Sequence, residues 1–192
     1  MKKQPLRVGF DLDGVLLYNP ARIVRPLIIF FKRLFLKKEI NRFHYPKTRI
    51  QKFFWFFLHK SSIFIAPGLN DIKKLVKEKK ISAYIITARY EFLKDDFYHW
   101  LDKIEAKKYF TGYYFNNNNE QPHIFKARKI KELRLDLFIE DNWDIVNYLS
   151  KKTDTKIYWI YNLLDRNIKY KFKYSSLQQV VSTIKKNLLQ VL

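Results

Sequence analysis

The sequence predicts an α/β fold, a Rossmann-like doubly wound parallel sheet with a small helical cap inserted after the first strand. Two observations carry this. Near-continuous apolar runs, each ending at a polar residue, suit strands buried on both faces of a sheet, which is the environment of parallel strands. Segments with helical spacing of apolar residues separate those runs, the alternation of a doubly wound domain. A third observation places the cap: one long segment interrupts the alternation and carries half the net charge of the chain.

The first strand is Leu6 to Phe10, ending at Asp11. The next are Ser82 to Ile86, ending at Thr87, and Leu135 to Ile139, ending at Glu140 and Asp141. Lys156 to Tyr161 forms the fourth and ends at Asn162. Helices are expected over Asn70 to Lys79, with Asn70 or Asp71 as N-cap, over Ile124 to Leu133, and over Trp143 to Leu149. The last helix follows Ser175 or Ser176 and repeats Leu177, Val180, Val181, Ile184 and Leu188 at a period of 3.6.

Residues 15 to 69 show no strand pattern and read as two or three helices, about Arg22 to Lys38 and about Thr48 to Lys60, with Pro46 between. Residues 18 to 63 hold eleven Lys or Arg against one acid, Glu39. The domains are therefore expected to be a core of 1–14 and 64–192, and a basic, aromatic cap of 15–63.

Composition narrows the classes. With 192 residues, 47% hydrophobic and 18% aromatic, the chain can bury an ordinary core and is not disordered. Absence of Cys removes disulfides, thiolate metal sites and Cys nucleophiles. No apolar run reaches the roughly 18 residues of a membrane span, and Asp11 and Asp13 interrupt what would otherwise be a leader, so a cytoplasmic location is expected. The net charge of +20 reads either as attraction for an anionic partner or as the lysine bias of an AT-rich coding sequence.

Ligands of an open parallel sheet bind beyond the carboxyl ends of its strands. Asp11, Asp13, Thr87, Glu140 and Asp141 stand there. Asp11 and Asp13, two apart on extended chain, would point to one side, and Gly14 would let the backbone turn away. Carboxylates gathered without His or Cys suit Mg²⁺ and a substrate phosphate. In such a site one carboxylate attacks phosphorus and another moves a proton.

These residues resemble the haloacid dehalogenase-like (HAD) phosphohydrolases. Asp11-Leu12-Asp13-Gly14-Val15 resembles their first motif, Ile85-Ile86-Thr87-Ala88-Arg89 the second, and Phe138-Ile139-Glu140-Asp141-Asn142 the fourth. Lys126, fourteen residues before Glu140, is similar to the lysine of the third. Tyr161-Asn162 with Arg166 is similar to the end of the 5′-nucleotidase-type branch.

The resemblance implies a Mg²⁺-dependent phosphomonoesterase acting through an aspartyl-phosphate, with a phosphorylated small molecule, such as a nucleotide, as substrate. It makes Asp11 the nucleophile and Asp13 the acid and base. Asp11, the backbone carbonyl of Asp13, and Glu140 or Asp141 would hold the metal, with Asp141 favoured by its side-chain length. Thr87 and Lys126 would bind the phosphoryl group, and Arg89 is a candidate substrate contact. In HAD proteins an insert between the first and second motifs is typically a cap over the active site.

Two other readings stand beside this one. In the basic insert, Phe53-Phe54-Trp55-Phe56-Phe57 among Lys47, Arg49, Lys52 and Lys60 is read either as helix packing or as a nucleic-acid surface, and Pro26 to Lys38 as a basic amphipathic helix on an anionic membrane surface. A non-catalytic module binding nucleic acid or an anionic surface, or a phosphatase of nucleic-acid ends, would use it in that way. The four His residues show no metal-ligand spacing.

Overall fold

The structure, a computed structural model, describes residues 4–18, 45–60 and 64–190. Its centre is a six-stranded sheet in the order β5-β4-β1-β6-β7-β8, with every neighbouring pair parallel. The strands are β1 (Leu6–Phe10), β4 (Ile81–Tyr90), β5 (Gly112–Asn116), β6 (Leu137–Glu140), β7 (Lys156–Ile160) and β8 (Lys173–Tyr174). Successive strand residues face opposite layers, as a pleat requires. Val8 and Phe10 of β1, Ile85 of β4 and Ile139 of β6 enter one apolar cluster. Ile86, Phe138 and Trp159 enter the other. Both faces are therefore covered, which explains the near-continuous apolar strands.

The first face is closed by α2 (Leu69–Lys77), α3 (Lys94–Lys103), α4 (Ala106–Tyr109) and α7 (Leu177–Gln190). The second is closed by α5 (Pro122–Glu132) and α6 (Trp143–Lys152). Gly9 belongs to this tight layer: a Cβ there would come within 2.5 Å of Leu135 Cδ1 and 2.8 Å of Phe138 Cδ2.

Several elements differ from the sequence expectation. The aromatic run of β5 is a strand, and Phe97, Trp100 and Leu101 form the buried stripe of α3. Residues 15 to 69 do contain strands: β2 (Leu17–Tyr18) pairs antiparallel with β3 (Phe64–Ile65). Each is two residues long and its partner is remote in sequence, so neither offers an alternation to read. Val15, Leu16 and Leu17 are buried with β1 in the first cluster. Neither Asn70 nor Asp71 caps α2; Gly68 stands at that position, with no side-chain cap.

The helix α1 (Arg49–Lys60) begins as expected, with Thr48 Oγ1 accepting from the Gln51 amide and Gln51 Oε1 accepting from the Lys47 amide. The helix expected over Arg22 to Lys38 lies outside the described residues. Among the described residues, no helix is long and apolar enough to cross a membrane.

Candidate active site

β1 and β6 are adjacent, so the residues that follow them meet. After Phe10 the chain leaves the sheet, and the Asp11 amide donates to the Ile139 carbonyl of β6. Gly14 adopts a φ of 82°, open to glycine without a Cβ clash, and the amides of Leu16 and Leu17 turn back to the Leu12 carbonyl. This tight loop fixes Asp11, whose Oδ1 accepts from the Leu12 amide at 2.8 Å.

Lys126, from α5, enters beneath. Its Nζ lies 2.8 Å from Asp11 Oδ2 and 2.6 Å from Glu140 Oε2, and all three residues are buried. Glu140 Oε1 accepts from the amides of Asp141 and Asn142 at 3.2 and 3.0 Å. Asn142 in turn caps α6 through the Asp144 amide, and Trp159 Nε1 donates to the Asp141 carbonyl at 3.1 Å. The acidic loop is therefore held at several points.

Asp11, Glu140 and Asp141 each present a carboxylate oxygen within 4.8 Å of the others, and all three are buried. Burial pushes the Asp11 carboxyl above the usual range against the pull of Lys126, with the charges of Asp141 and Asp13 adding to the rise. Burial likewise takes Glu140 up to about 8, although Lys126 opposes it. Burial works against charge on Lys126 as well, but Asp11 and Glu140 hold its ammonium protonated above the ordinary lysine range. Three buried carboxyl groups share one ammonium, and the upward shifts of Asp11 and Glu140 mark the cost of charging them together. An all-oxygen donor set of this kind fits a hard cation such as Mg²⁺, whose charge would offset that cost, and Glu140 has both oxygens engaged already, by Lys126 and by backbone amides.

Asp13 does not share a strand with Asp11, because β1 ends at Phe10. The two carboxylates take different cations: Asp13 accepts from Arg89 Nε at 2.8 Å and Nη2 at 2.7 Å. Thr87 is buried on β4, and the strand does not stop there as expected but continues to Tyr90. Pairing with β5 jumps from Thr87↔Phe115 to Tyr90↔Asn116, a bulge that contains Arg89.

Arg89 is buried, and its Nη1 donates to Asp96 of α3 at 2.5 Å. Asp96 is a residue that motif reading did not single out; its one sequence signal is an acid in the first turn of the next helix. The insert approaches this side of the site: Tyr45 meets Tyr90 edge-on at 5.0 Å, and Lys52 Nζ lies 5.8 Å from the Phe92 ring. Within α1, Phe53 is exposed, while Trp55 and Phe56 are half-buried.

No family model and no curated protein matches the sequence. Solved structures do match. A HAD hydrolase of family IA, variant 3, from Entamoeba histolytica shares 14% identity over 94% of this chain and 99% of that one, with a TM-score of 0.59. A HAD-superfamily hydrolase from Ehrlichia chaffeensis shares 14% over 97% and 98%, with a TM-score of 0.53. CbbY from Rhodobacter sphaeroides, solved in complex with phosphate, shares 15% over 91% and 95%, again at 0.53. The chain thus has the α/β fold of the HAD hydrolases, with a buried acidic cluster at the carboxyl ends of its central strands.

Proposed function

We infer that the protein is a Mg²⁺-dependent phosphomonoester hydrolase working through an aspartyl-phosphate on Asp11. The observation that carries this reading is the contact of Asp11 with Lys126 inside a cluster of three buried carboxylates. Burying that much charge is expensive, and a scaffold that only binds has no need of it.

Asp11 attacks phosphorus, and the bond from phosphorus to the leaving oxygen breaks. Asp13 gives its proton to that oxygen. The Asp13 carboxylate then takes a proton from the water that attacks the aspartyl-phosphate, which releases inorganic phosphate and restores Asp11. Lys126 orients Asp11, and together with Thr87 it meets the phosphoryl oxygens. Mg²⁺ held by Asp11, Asp141 and the Asp13 backbone carbonyl would offset the phosphoryl charge.

Nucleotides are the substrate class suggested by the likeness at Tyr161, Asn162 and Arg166.

The test is turnover of p-nitrophenyl phosphate and a panel of phosphate monoesters, nucleotides included, with Mg²⁺ and with EDTA. Hydrolysis that needs the metal and disappears in Asp11→Asn supports the reading. Turnover surviving in Asp11→Asn, or none on any ester, overturns it.

A further inference from the structure

The segment between Asp13 and α2 turns apolar side chains to solvent more than any other part of the chain. Of nine large hydrophobic residues exposed among the described residues, five belong to it: Tyr18, Ile50, Phe53, Phe64 and Ile65. The other four are scattered over a core several times as long. Within α1 this exposure has a direction. Lys52 lies against the Phe92 ring, and Trp55 and Phe56 are half-buried, so that side of the helix is turned to the protein. Ile50 and Phe53, three apart and hence on one face, are 71% and 59% exposed. A surface helix ordinarily turns its apolar stripe inward and its polar face out.

The charge around this face is of one sign. Residues 45 to 60 hold Lys47, Arg49, Lys52 and Lys60 and no acid. Lys47 and Arg49 are exposed, and neither has a carboxylate partner among the described residues. Apolar side chains rimmed by unopposed basic ones match a lipid surface with negative headgroups, which takes the first at its acyl boundary and the second at its phosphates. Nucleic acid would engage the cations and could stack on Phe53, but it offers nothing to Ile50, the more exposed of the two. A second copy of the chain would set like charges against each other.

We propose that α1 docks the protein on an anionic bilayer: Ile50 and Phe53 enter the acyl boundary, and Lys47 and Arg49 meet the phosphate headgroups. The helix lies along the surface. Its twelve residues rise about 18 Å, well short of the roughly 30 Å of a hydrocarbon core. Docking of this kind does not depend on the hydrolytic reading above.

The experiment is flotation of the full chain with vesicles of phosphatidylcholine alone, and of phosphatidylcholine with about one third phosphatidylglycerol. The parent is expected on the anionic vesicles, less at raised salt, and not on the neutral ones. Ile50→Ser with Phe53→Ser changes no charge and is expected to lower partitioning about tenfold or more. Lys47→Gln with Arg49→Gln should lower it about tenfold. Two controls separate docking by α1 from general adhesion of a +20 chain: Leu189→Ser, an equally exposed residue of α7, and Lys151→Gln with Lys152→Gln at the end of α6. Both should float as the parent does, and every variant should melt with it. No flotation of the parent, undiminished flotation of the Ile50 and Phe53 variant, or an equal loss in the α6 pair would overturn the proposal. A lowered melting temperature in the Ile50 and Phe53 variant would show a face packed within the chain. Vesicle-free association lost in that variant would show a face pairing two copies, and single-stranded DNA bound through the same two residues would assign it to nucleic acid. Each of these three results overturns membrane docking.

Discussion

Lys126 and Asp11 are joined 2.8 Å apart in a setting from which water is almost wholly excluded, although 115 positions separate them in the chain. The contact exists because α5 packs against β4 on the second face of the sheet, in the same apolar layer as Phe138 of β6, the strand that pairs with β1. Removing the ammonium leaves Asp11 and Glu140 facing each other without a counter-charge. Breaking such a buried pair from one side typically costs about 3–5 kcal/mol. Lys126→Met is therefore expected to lower the melting temperature by on the order of 10 °C and to abolish phosphatase turnover. An unchanged melting curve would show that the two carboxylates lose nothing with their partner.

The three carboxyl groups that share this ammonium carry a second prediction. A divalent cation that binds only the folded state raises stability by about 2.7 kcal/mol at a hundredfold excess over its Kd. Mg²⁺ is expected to raise the melting temperature with a saturable dependence, and EDTA to reverse it. Asp141→Asn takes one charge from the donor set and should weaken that dependence strongly. If Asp141→Asn responds to Mg²⁺ as the parent does, the metal does not sit among these carboxylates.

Trp159 bears on the same loop from β7. Its indole N–H donates to the Asp141 carbonyl at 3.1 Å within the second apolar cluster. Trp159→Phe preserves an aromatic ring but leaves that carbonyl without this donor, a loss of about 1 kcal/mol for a buried hydrogen bond. A several-fold weaker Mg²⁺ response with only a modest fall in melting temperature is expected from calorimetric titration of the variant. Equal Mg²⁺ affinity in Trp159→Phe and parent would mean the bond does not steady the Asp141 ligand.

How much of this was readable beforehand depends on how local each signal is. Asp11, Thr87 and Glu140 each end or follow an apolar run, so strand position alone located them. Lys126 was found through its fourteen-residue spacing to Glu140, and the structure brings those two side chains to 2.6 Å. The pairing of Arg89 with Asp13 was not legible, because it follows from a bulge in β4 that no periodicity records. Asp96 was hidden for a related reason: an acid in a first helical turn is ordinarily read as favouring the helix dipole. Likewise β2 and β3 owe their existence to each other's edges, and two residues carry no pattern. Strand order, too, is a property of the assembled sheet.

Gly9 supplies the last prediction, and it concerns the platform beneath the site. It is the penultimate residue of β1, two residues before Asp11, and glycine within a strand ordinarily weakens it. Here the residue opposite on β6 is Phe138, and with Leu135 it fills the space a side chain would take. A methyl group at this position meets Leu135 Cδ1 at 2.5 Å and Phe138 Cδ2 at 2.8 Å, both below ordinary contact. The ends of those side chains must move, and they share a cluster with Ile130, Val146 and Trp159 that has little slack. Overpacking of this kind costs about 1–3 kcal/mol. Gly9→Ala is expected to lower denaturant stability by that amount and, because β1 carries Asp11, to reduce kcat while KM stays near the parent value. A Gly9→Ala protein as stable and as active as the parent would show that the Leu135–Phe138 layer yields freely, and that the spacing of β1 and β6 does not depend on glycine.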